Sequence, residues 1–193
     1  MIRFAVLGHL AHTAGDFSLS DMPGGAGRMD ILCRCVTTSL FLSHGMRRDV
    51  EVYLVLLGPP NPPKTVLFSG EKVRYLSPDE RSAGSLIKKA LELPAGDAFR
   101  ESTPGVYVRK GGLSDLMSGH PFVLLDESGA DVRKTAALPG NYLLSDHMNL
   151  TEEETLQIGA LPVYSVGPKS LHADHAITVL LNELDRRAEG WIS

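Results

Sequence analysis

The sequence predicts an α/β protein with a largely parallel sheet. Segments with the apolar pattern of strands alternate with segments whose apolar residues recur at helical spacing. The segment 50–57 is apolar with little alternation, as expected of a strand with both faces covered. In the last third, the predicted strands 142–144 and 162–164 each run into a short polar loop. Loops at the carboxyl ends of neighbouring parallel strands form ligand pockets.

The N-terminal part predicts a strand, a loop and a helix. The strand covers residues 1–8, and the loop 18–27 contains three glycines within four residues, which allows unusual backbone conformations. A helix is predicted over 28–43 because its apolar residues recur every four positions. Gly45 is placed to end this helix as a left-handed cap.

The middle of the chain predicts further short elements. The proline-rich segment 58–63 predicts an extended loop, and 65–69 a strand. Ser77 can cap a helix whose capping box is completed by Glu80, and this helix stops before Pro94. The remaining predicted elements are a strand at 106–108, a short helix at 113–117, a strand at 122–125, and helices at 152–158 and 172–188.

Bulk properties exclude several classes of protein. The 193 residues suffice for one domain, and neither a membrane-spanning run nor a signal peptide is present. The net charge of −4 argues against nucleic-acid binding by the whole surface. Local basic pairs remain, as at Arg47–Arg48 and Lys88–Lys89, and these could equally be solvated surface charges.

The cysteines and histidines do not predict a metal site. Cys33 and Cys35 stand one residue apart on a helix and point in divergent directions, so we expect reduced thiols. His172 and His175 could bind a metal together with Asp146–His147, but caps and hydrogen-bond partners are the commoner role at such positions. We therefore expect no metal.

Several catalytic motifs are absent from the sequence. It contains no phosphate-binding loop, no glycine-rich dinucleotide turn and no nucleophile elbow. These absences argue against nucleotide hydrolysis with a phosphate-binding loop, against dinucleotide binding and against hydrolysis by a serine on a nucleophile elbow.

A combination of motifs distributed over the whole chain resembles one family. It includes Gly27-Arg28-Met29-Asp30, Leu76-Ser77-Pro78-Asp79-Glu80-Arg81 and Leu171-His172-Ala173-Asp174-His175. The segments 41–44, 47–50, 60–63, 102–106 and 144–147 match as well. On these residues the sequence resembles the TrmY family, the archaeal tRNA pseudouridine-54 N1-methyltransferases of the SPOUT class.

The resemblance implies a fold and a cofactor. It implies a single SPOUT domain over 1–193, with a C-terminal deep trefoil knot in roughly 120–193 that binds S-adenosylmethionine, and a homodimer. Family members often have glycine at the position of Ser145 and cysteine at that of Ala176, so we expect a slightly altered pocket. Carried over by motif, the cofactor-binding residues are Leu125, Ser145, Val166, Gly167, Pro168, Lys169, Ser170, Leu171 and Ala176.

The implied reaction is N1-methylation of pseudouridine in the T-arm of tRNA, in the cytoplasm, with no DNA or membrane partner. Asp30 is the catalytic candidate for orienting or deprotonating the base, and Arg28 and Arg34 for anion and phosphate contacts. The alternative is that Asp30 and Arg34 form only a helix-surface ion pair. The target base must leave its stack to react. The candidates for gripping the RNA backbone are Arg47, Arg48, Arg81, Lys88 and Arg109.

Two other functions remain open at this stage. One is methylation of ribosomal RNA pseudouridine by a Nep/Emg-type relative of the same class. The other is a non-catalytic RNA-binding protein that has kept the SPOUT fold.

Overall fold

The computed structural model describes residues 1–191 as a mixed α/β protein. The six α-helices in that range are α1 (Met22–Gly25), α2 (Met29–Leu40), α3 (Glu80–Leu91), α4 (Leu113–Gly119), α5 (Glu152–Ile158) and α6 (Ala173–Ala188). The ten strands are β1 (Ile2–Gly8), β2 (Phe41–Leu42), β3 (Gly45–Met46), β4 (Val50–Leu56), β5 (Lys64–Ser69), β6 (Arg100–Thr103), β7 (Val106–Lys110), β8 (Val123–Asp131), β9 (Asn141–Ser145) and β10 (Val163–Ser165).

Eight strands form the central sheet, in the order β10-β8-β9-β1-β4-β5-β7-β6. The strands from β10 to β4 pair in parallel, whereas β5, β7 and β6 continue the sheet in antiparallel orientation. The mainly parallel sheet predicted from the sequence is therefore confirmed, with an antiparallel extension at one edge.

Both faces of the sheet are covered, and β4 shows why its sequence does not alternate. Val52 and Leu54 pack into the larger core cluster, which also receives buried residues of α2, α3 and α6. Tyr53 and Val55 pack into a second cluster on the other face, with residues of α4 and α5. Apolar residues are buried on either side, so the strand needs no polar face.

The end of α2 differs from the prediction. The helix stops at Leu40, and Phe41 is already extended, with φ −89° and ψ 139°. Phe41 and Leu42 then pair antiparallel with Gly45 and Met46. The predicted helix end near residue 43 and the cap at Gly45 are wrong, because a small hairpin takes those residues.

Two other local predictions also differ. Asp79 rather than Ser77 caps α3, with the Ser82 amide donating to its side chain at 2.8 Å. The strand predicted over 122–125 extends to Asp131, because β10 pairs along its length with a shift in register. These differences leave the order of strands and helices unchanged.

The sheet topology brings three chain segments to one edge. β9 lies beside β1, with Leu7 opposite Ser145, so the residues that follow both strands leave the sheet together. On the other side of β9 lies β8, and β10 pairs with β8 at the edge of the sheet. The loop after β10 leads directly into α6, and the candidate site lies where these segments meet.

Candidate functional site

A cavity of about 320 Å³ opens between the loops that follow β9 and β10 and the first turn of α6. Its size is at the lower end of the range for small-molecule sites. Eight of the nine residues expected to bind the cofactor line it, and Pro168 is the exception. The eight are Leu125, Ser145, Val166, Gly167, Lys169, Ser170, Leu171 and Ala176.

The two loops keep their shape through short side-chain contacts to the backbone. The Ser165 hydroxyl donates to the Gly167 carbonyl at 2.7 Å and accepts from the Gly167 amide at 3.2 Å. The Ser145 hydroxyl donates to the Met148 carbonyl. Gly167 and Ser170 line the cavity with little or no side chain, so a flat ligand group can approach the main-chain donors and acceptors there.

The cavity wall is apolar on one side and acidic on another. Leu125, Leu144 and Leu171 contribute aliphatic surface. Asp126 and Glu127, in the stretch of β8 where the pairing with β10 shifts register, also line the cavity and are exposed. Sequence reasoning missed both carboxylates, although they directly follow Leu125 and could have been found by extending that position along its strand.

A buried cluster of His9, Asp146 and Glu154 lies behind the loop that follows β9. The His9 amide donates to Asp146 Oδ2 at 2.9 Å, and His9 Nδ1 lies 2.8 Å from Asp146 Oδ1. His9 Nε2 lies 2.9 Å from Glu154 Oε2. The hydrogen bond with Asp146 raises the pKa of His9 above its usual value, although burial opposes the rise. Burial pushes the pKa of Asp146 up, but hydrogen bonds from His9 and the Met148 amide outweigh it and lower that pKa.

The catalytic candidates Arg28, Asp30 and Arg34 form a second cluster at the start of α2. Arg28 donates to both carboxylate oxygens of Asp30, at 3.0 Å each, and Arg34 donates to Oδ2 at 3.0 Å. Asp30 is only 4% exposed, so this is more than a surface ion pair. Burial raises the pKa of Asp30, but the hydrogen bonds from both arginines outweigh burial and lower it. Arg28 has φ +64°, a left-handed backbone that directs the chain into the helix.

Arg34 connects this cluster to the loop after β10. Its Nε lies 3.5 Å from Asp174 Oδ2, and its guanidinium also donates to Glu80 on α3 at 3.1 Å. Asp174 is in the first turn of α6 and is 6% exposed. Its Oδ1 is buried and has no hydrogen-bond partner among residues 1–191. Its neighbours Ala173 and Ala176 line the cavity, so the charged cluster contacts the helix turn that borders the cavity.

Of the five residues expected to bind RNA, Arg81 lies exposed on α3. Arg47 forms a two-pronged ion pair with Asp185, and Arg48 donates to the Gly70 carbonyl at 2.9 Å. Lys88 donates to the Phe17 carbonyl at 2.8 Å. The structure brings Arg81 and Lys88 onto one helix and places the arginine pair elsewhere, after β3.

Arg109 lies on β7, with its guanidinium carbon 4.7 Å from the centre of the Phe99 ring. This geometry is that of a cation–π contact. The Arg109 Nε is buried and unpaired among the described residues. Any RNA contact of Arg109 would have to use its terminal nitrogens.

Two negative findings apply to residues 1–191. No group of three or more His, Cys, Asp or Glu side chains in that range is arranged to hold a metal ion. No helix there has the length and apolar character required to cross a bilayer.

Comparison with known proteins identifies the family. A family model described as "Putative SAM-dependent RNA methyltransferase" matches residues 1–188. The chain belongs to this family of S-adenosylmethionine-dependent RNA methyltransferases. A relative from Methanocorpusculum labreanum named tRNA (pseudouridine(54)-N(1))-methyltransferase is 56% identical, over 98% of this chain and 99% of its own length. A protein of the same name from Methanospirillum hungatei is 52% identical over the full length of both chains.

A similar fold is found among solved structures. The crystal structure of Archaeoglobus fulgidus Nep1 bound to S-adenosylhomocysteine matches with a TM-score of 0.68, over 97% of this chain and 100% of that chain. The two sequences are 21% identical. At that identity the likeness shows a shared fold.

Proposed function

We propose that this protein transfers the methyl group of S-adenosylmethionine to N1 of pseudouridine 54 in the T-loop of tRNA. The observation that carries the proposal is the contact between Arg34 and Asp174, because Asp174 lies in the same turn of α6 as Ala173 and Ala176, which line the cavity suited to a nucleoside cofactor. The contact therefore brings the charged cluster at the start of α2 next to that cavity. The activity named for relatives that match over their full length supports the same conclusion.

The residues of the cavity fit S-adenosylmethionine. The aliphatic side chains of Leu125, Leu144 and Leu171 suit the adenine ring, and main-chain groups of 166–171 suit its polar edge. Asp126 and Glu127 suit ribose hydroxyls and positive charge. When bound, the cofactor supplies an electrophilic methyl group on a positively charged sulfur.

The reaction balances with one proton released. The bond from N1 to the methyl carbon forms as the bond from sulfur to that carbon breaks, and the N1 proton leaves. A positive charge near the base carbonyls stabilises the negative charge that develops on the ring. Arg28 and Arg34 are placed to provide it.

Asp30 orients these arginines rather than accepting the proton. Both of its oxygens accept hydrogen bonds from guanidinium groups, and its pKa is lowered. A carboxylate with a lowered pKa is a weaker base. The N1 proton then passes to solvent or to a group on the RNA.

The tRNA T-arm approaches from the side of Arg81, which is exposed and directly follows the Glu80 that contacts Arg34. Arg47, Arg48, Lys88 and Arg109 are proposed as further backbone contacts. Arg48 and Lys88, which now donate to backbone carbonyls, would exchange them for phosphates, whose charge makes the stronger hydrogen bond. Arg47 would exchange the Asp185 carboxylate for a phosphate.

We further propose that the chain is one SPOUT domain over 1–193, with a trefoil knot in roughly 120–193. The last two residues of both ranges lie outside the described chain. The pairing of β10 with β8 rather than with β9 supports a crossing of the C-terminal segment.

We also propose a homodimer in the cytoplasm. The exposed apolar side chains of Met148 and Leu171 beside the cavity support the homodimer. The tRNA substrate supports the cytoplasmic location.

Methyl transfer to defined RNAs tests the proposed function. Purified protein, labelled S-adenosylmethionine and a tRNA transcript carrying pseudouridine 54 should give methylated tRNA, whereas ribosomal RNA fragments that contain pseudouridine should not. Preference for the ribosomal fragments would favour the Nep/Emg type of activity. Binding of both RNAs without methyl transfer would favour a non-catalytic protein.

A further inference from the structure

Both ring nitrogens of His9 face carboxylate oxygens in a buried setting. Nδ1 lies 2.8 Å from Asp146 Oδ1, and Nε2 lies 2.9 Å from Glu154 Oε2. The side chains are 5%, 1% and 10% exposed for His9, Asp146 and Glu154. Water therefore cannot readily replace either contact.

The proton count at this cluster follows from its geometry. An ionised carboxylate can only accept hydrogen bonds, so each ring nitrogen must carry a proton for both contacts to be favourable. His9 is then an imidazolium between two carboxylates. The raised pKa of His9, due first to its hydrogen bond with Asp146, and the lowered pKa of Asp146 agree with these charge states.

The cluster ties down the segment 146–151, which forms one wall of the cavity. At one end, Asp146 accepts from the Met148 amide at 2.9 Å as well as from His9. At the other end, the same Glu154 oxygen that faces His9 accepts from the Thr151 amide at 2.8 Å. His147, Met148 and Asn149, which lie between, line the cavity. A single imidazole therefore fastens both ends of the segment to the end of β1.

We propose that His9 is a positioning residue whose imidazolium holds segment 146–151 in the shape that binds the cofactor, and that loss of its proton opens this wall and weakens binding. The proposal rests on the proposed function, because it assigns His9 to the same cavity. With one proton removed, a lone pair of the ring faces a carboxylate oxygen at a distance under 3 Å. That contact is repulsive, and the buried carboxylate loses one of its donors.

Other charged groups near the cluster do not remove the need for a proton on both ring nitrogens of His9. His147 Nδ1 lies 3.4 Å from Asp146 Oδ2, and the charge of Arg28 also acts on Asp146. Glu153 lines a second cavity beside His9 and adds negative charge there. The nearest of these groups to the ring are the two carboxylates themselves, so the cluster favours the charged ring.

Calorimetry with S-adenosylhomocysteine tests the proposal. Affinity of the wild-type protein should fall as the pH rises from about 6 to about 9. The His9→Gln variant, which can donate to only one carboxylate, should bind roughly tenfold more weakly at the lower pH and vary little with pH. His12→Gln, three residues away, is the matched control and should behave as wild type. Equal affinity of wild type and His9→Gln at every pH would overturn the proposal while leaving the proposed function intact.

Nuclear magnetic resonance of the histidine ring nitrogens provides a readout that does not need a variant. In the wild-type protein at neutral pH, both His9 nitrogens should be protonated, and the signal should titrate above the range of an ordinary histidine. One unprotonated ring nitrogen at neutral pH would contradict the imidazolium. Failure of the wild-type protein to bind S-adenosylhomocysteine at any pH would instead refute the proposed function, and with it the role of His9 in cofactor binding.

Discussion

Arg34 of α2 lies within ion-pair distance of Asp174 in the first turn of α6, with 3.5 Å between its Nε and the Asp174 Oδ2. The two residues belong to opposite ends of the chain. Arg34 also holds Asp30 and Glu80. One guanidinium thus joins the start of α2, the start of α3 and the start of α6.

Removing Arg34 should lower the free energy of unfolding. Arg34→Ala leaves three carboxylates without their shared donor, and we expect a loss of about 2 kcal/mol in the free energy of unfolding. Urea denaturation measures this loss. Arg81→Ala, on the exposed side of α3, is the control and should change stability by less than about 0.5 kcal/mol. Equal stability of the two variants would mean that the Arg34 contacts contribute nothing net.

Asp30→Asn separates orientation of the arginines from folding. The amide keeps the shape of the side chain but removes its charge, so Arg28 and Arg34 lose part of their anchoring. We expect single-turnover methylation of tRNA to slow by roughly tenfold or more, with tRNA binding retained. An unchanged single-turnover rate with intact tRNA binding would exclude any role of Asp30 in the reaction.

Filling the cavity should block the cofactor. Ser145→Trp places a large ring at the end of β9, where Ser145 lines the cavity. Calorimetry should show the loss of S-adenosylhomocysteine binding, with a folded protein by circular dichroism. Ser118→Trp, on the exposed surface of α4, is the matched control for the size of the substitution. Undiminished affinity in Ser145→Trp would place the cofactor elsewhere.

The His9 cluster predicts how folding stability depends on pH. The pKa of His9 is raised in the folded state, so its contribution is fully present below the unfolded value of about 6.5 and is lost as the pH rises through the folded pKa. The pKa of Asp146 is lowered, so its contribution is present above about 3.9 and is lost as the pH falls through its folded pKa.

Thermal melts of wild type and His9→Gln check this pH dependence. The difference in melting temperature should be largest at about pH 6, just below the unfolded pKa of histidine, and should shrink as the pH rises into the alkaline range, where the wild-type imidazole is neutral. A difference that stays constant across the alkaline range would mean that His9 does not titrate there.

The sequence predicted those parts of the molecule that local patterns determine. The uninterrupted apolar run of β4 indicated a strand with two covered faces, and Val52 and Tyr53 do face different core clusters. The end of α2 could not be read in this way, because Phe41 and Leu42 are compatible with either a helix or a strand. Their pairing with Gly45 and Met46 decides between the two.

The cavity and the buried cluster differ in how far the sequence could predict them. The cavity loops follow β9 and β10, and family motifs carried their residues, so all nine cofactor candidates were named from the sequence and eight of them line the cavity. His9 lies 137 residues from Asp146 and 145 from Glu154. A lone histidine after the first strand has no local pattern that points to either carboxylate, and only the sheet order brings them together.

The most direct test of the central claim uses two tRNA transcripts that differ only at position 54, one with pseudouridine and one with uridine. In uridine, N1 is bonded to the ribose and cannot accept a methyl group, whereas in pseudouridine it is free. Mass spectrometry of nuclease digests, after incubation with the protein and S-adenosylmethionine, should show one added methyl group on the residue at position 54 of the pseudouridine transcript alone. Equal methylation of both transcripts would contradict the account, and so would methylation of neither transcript.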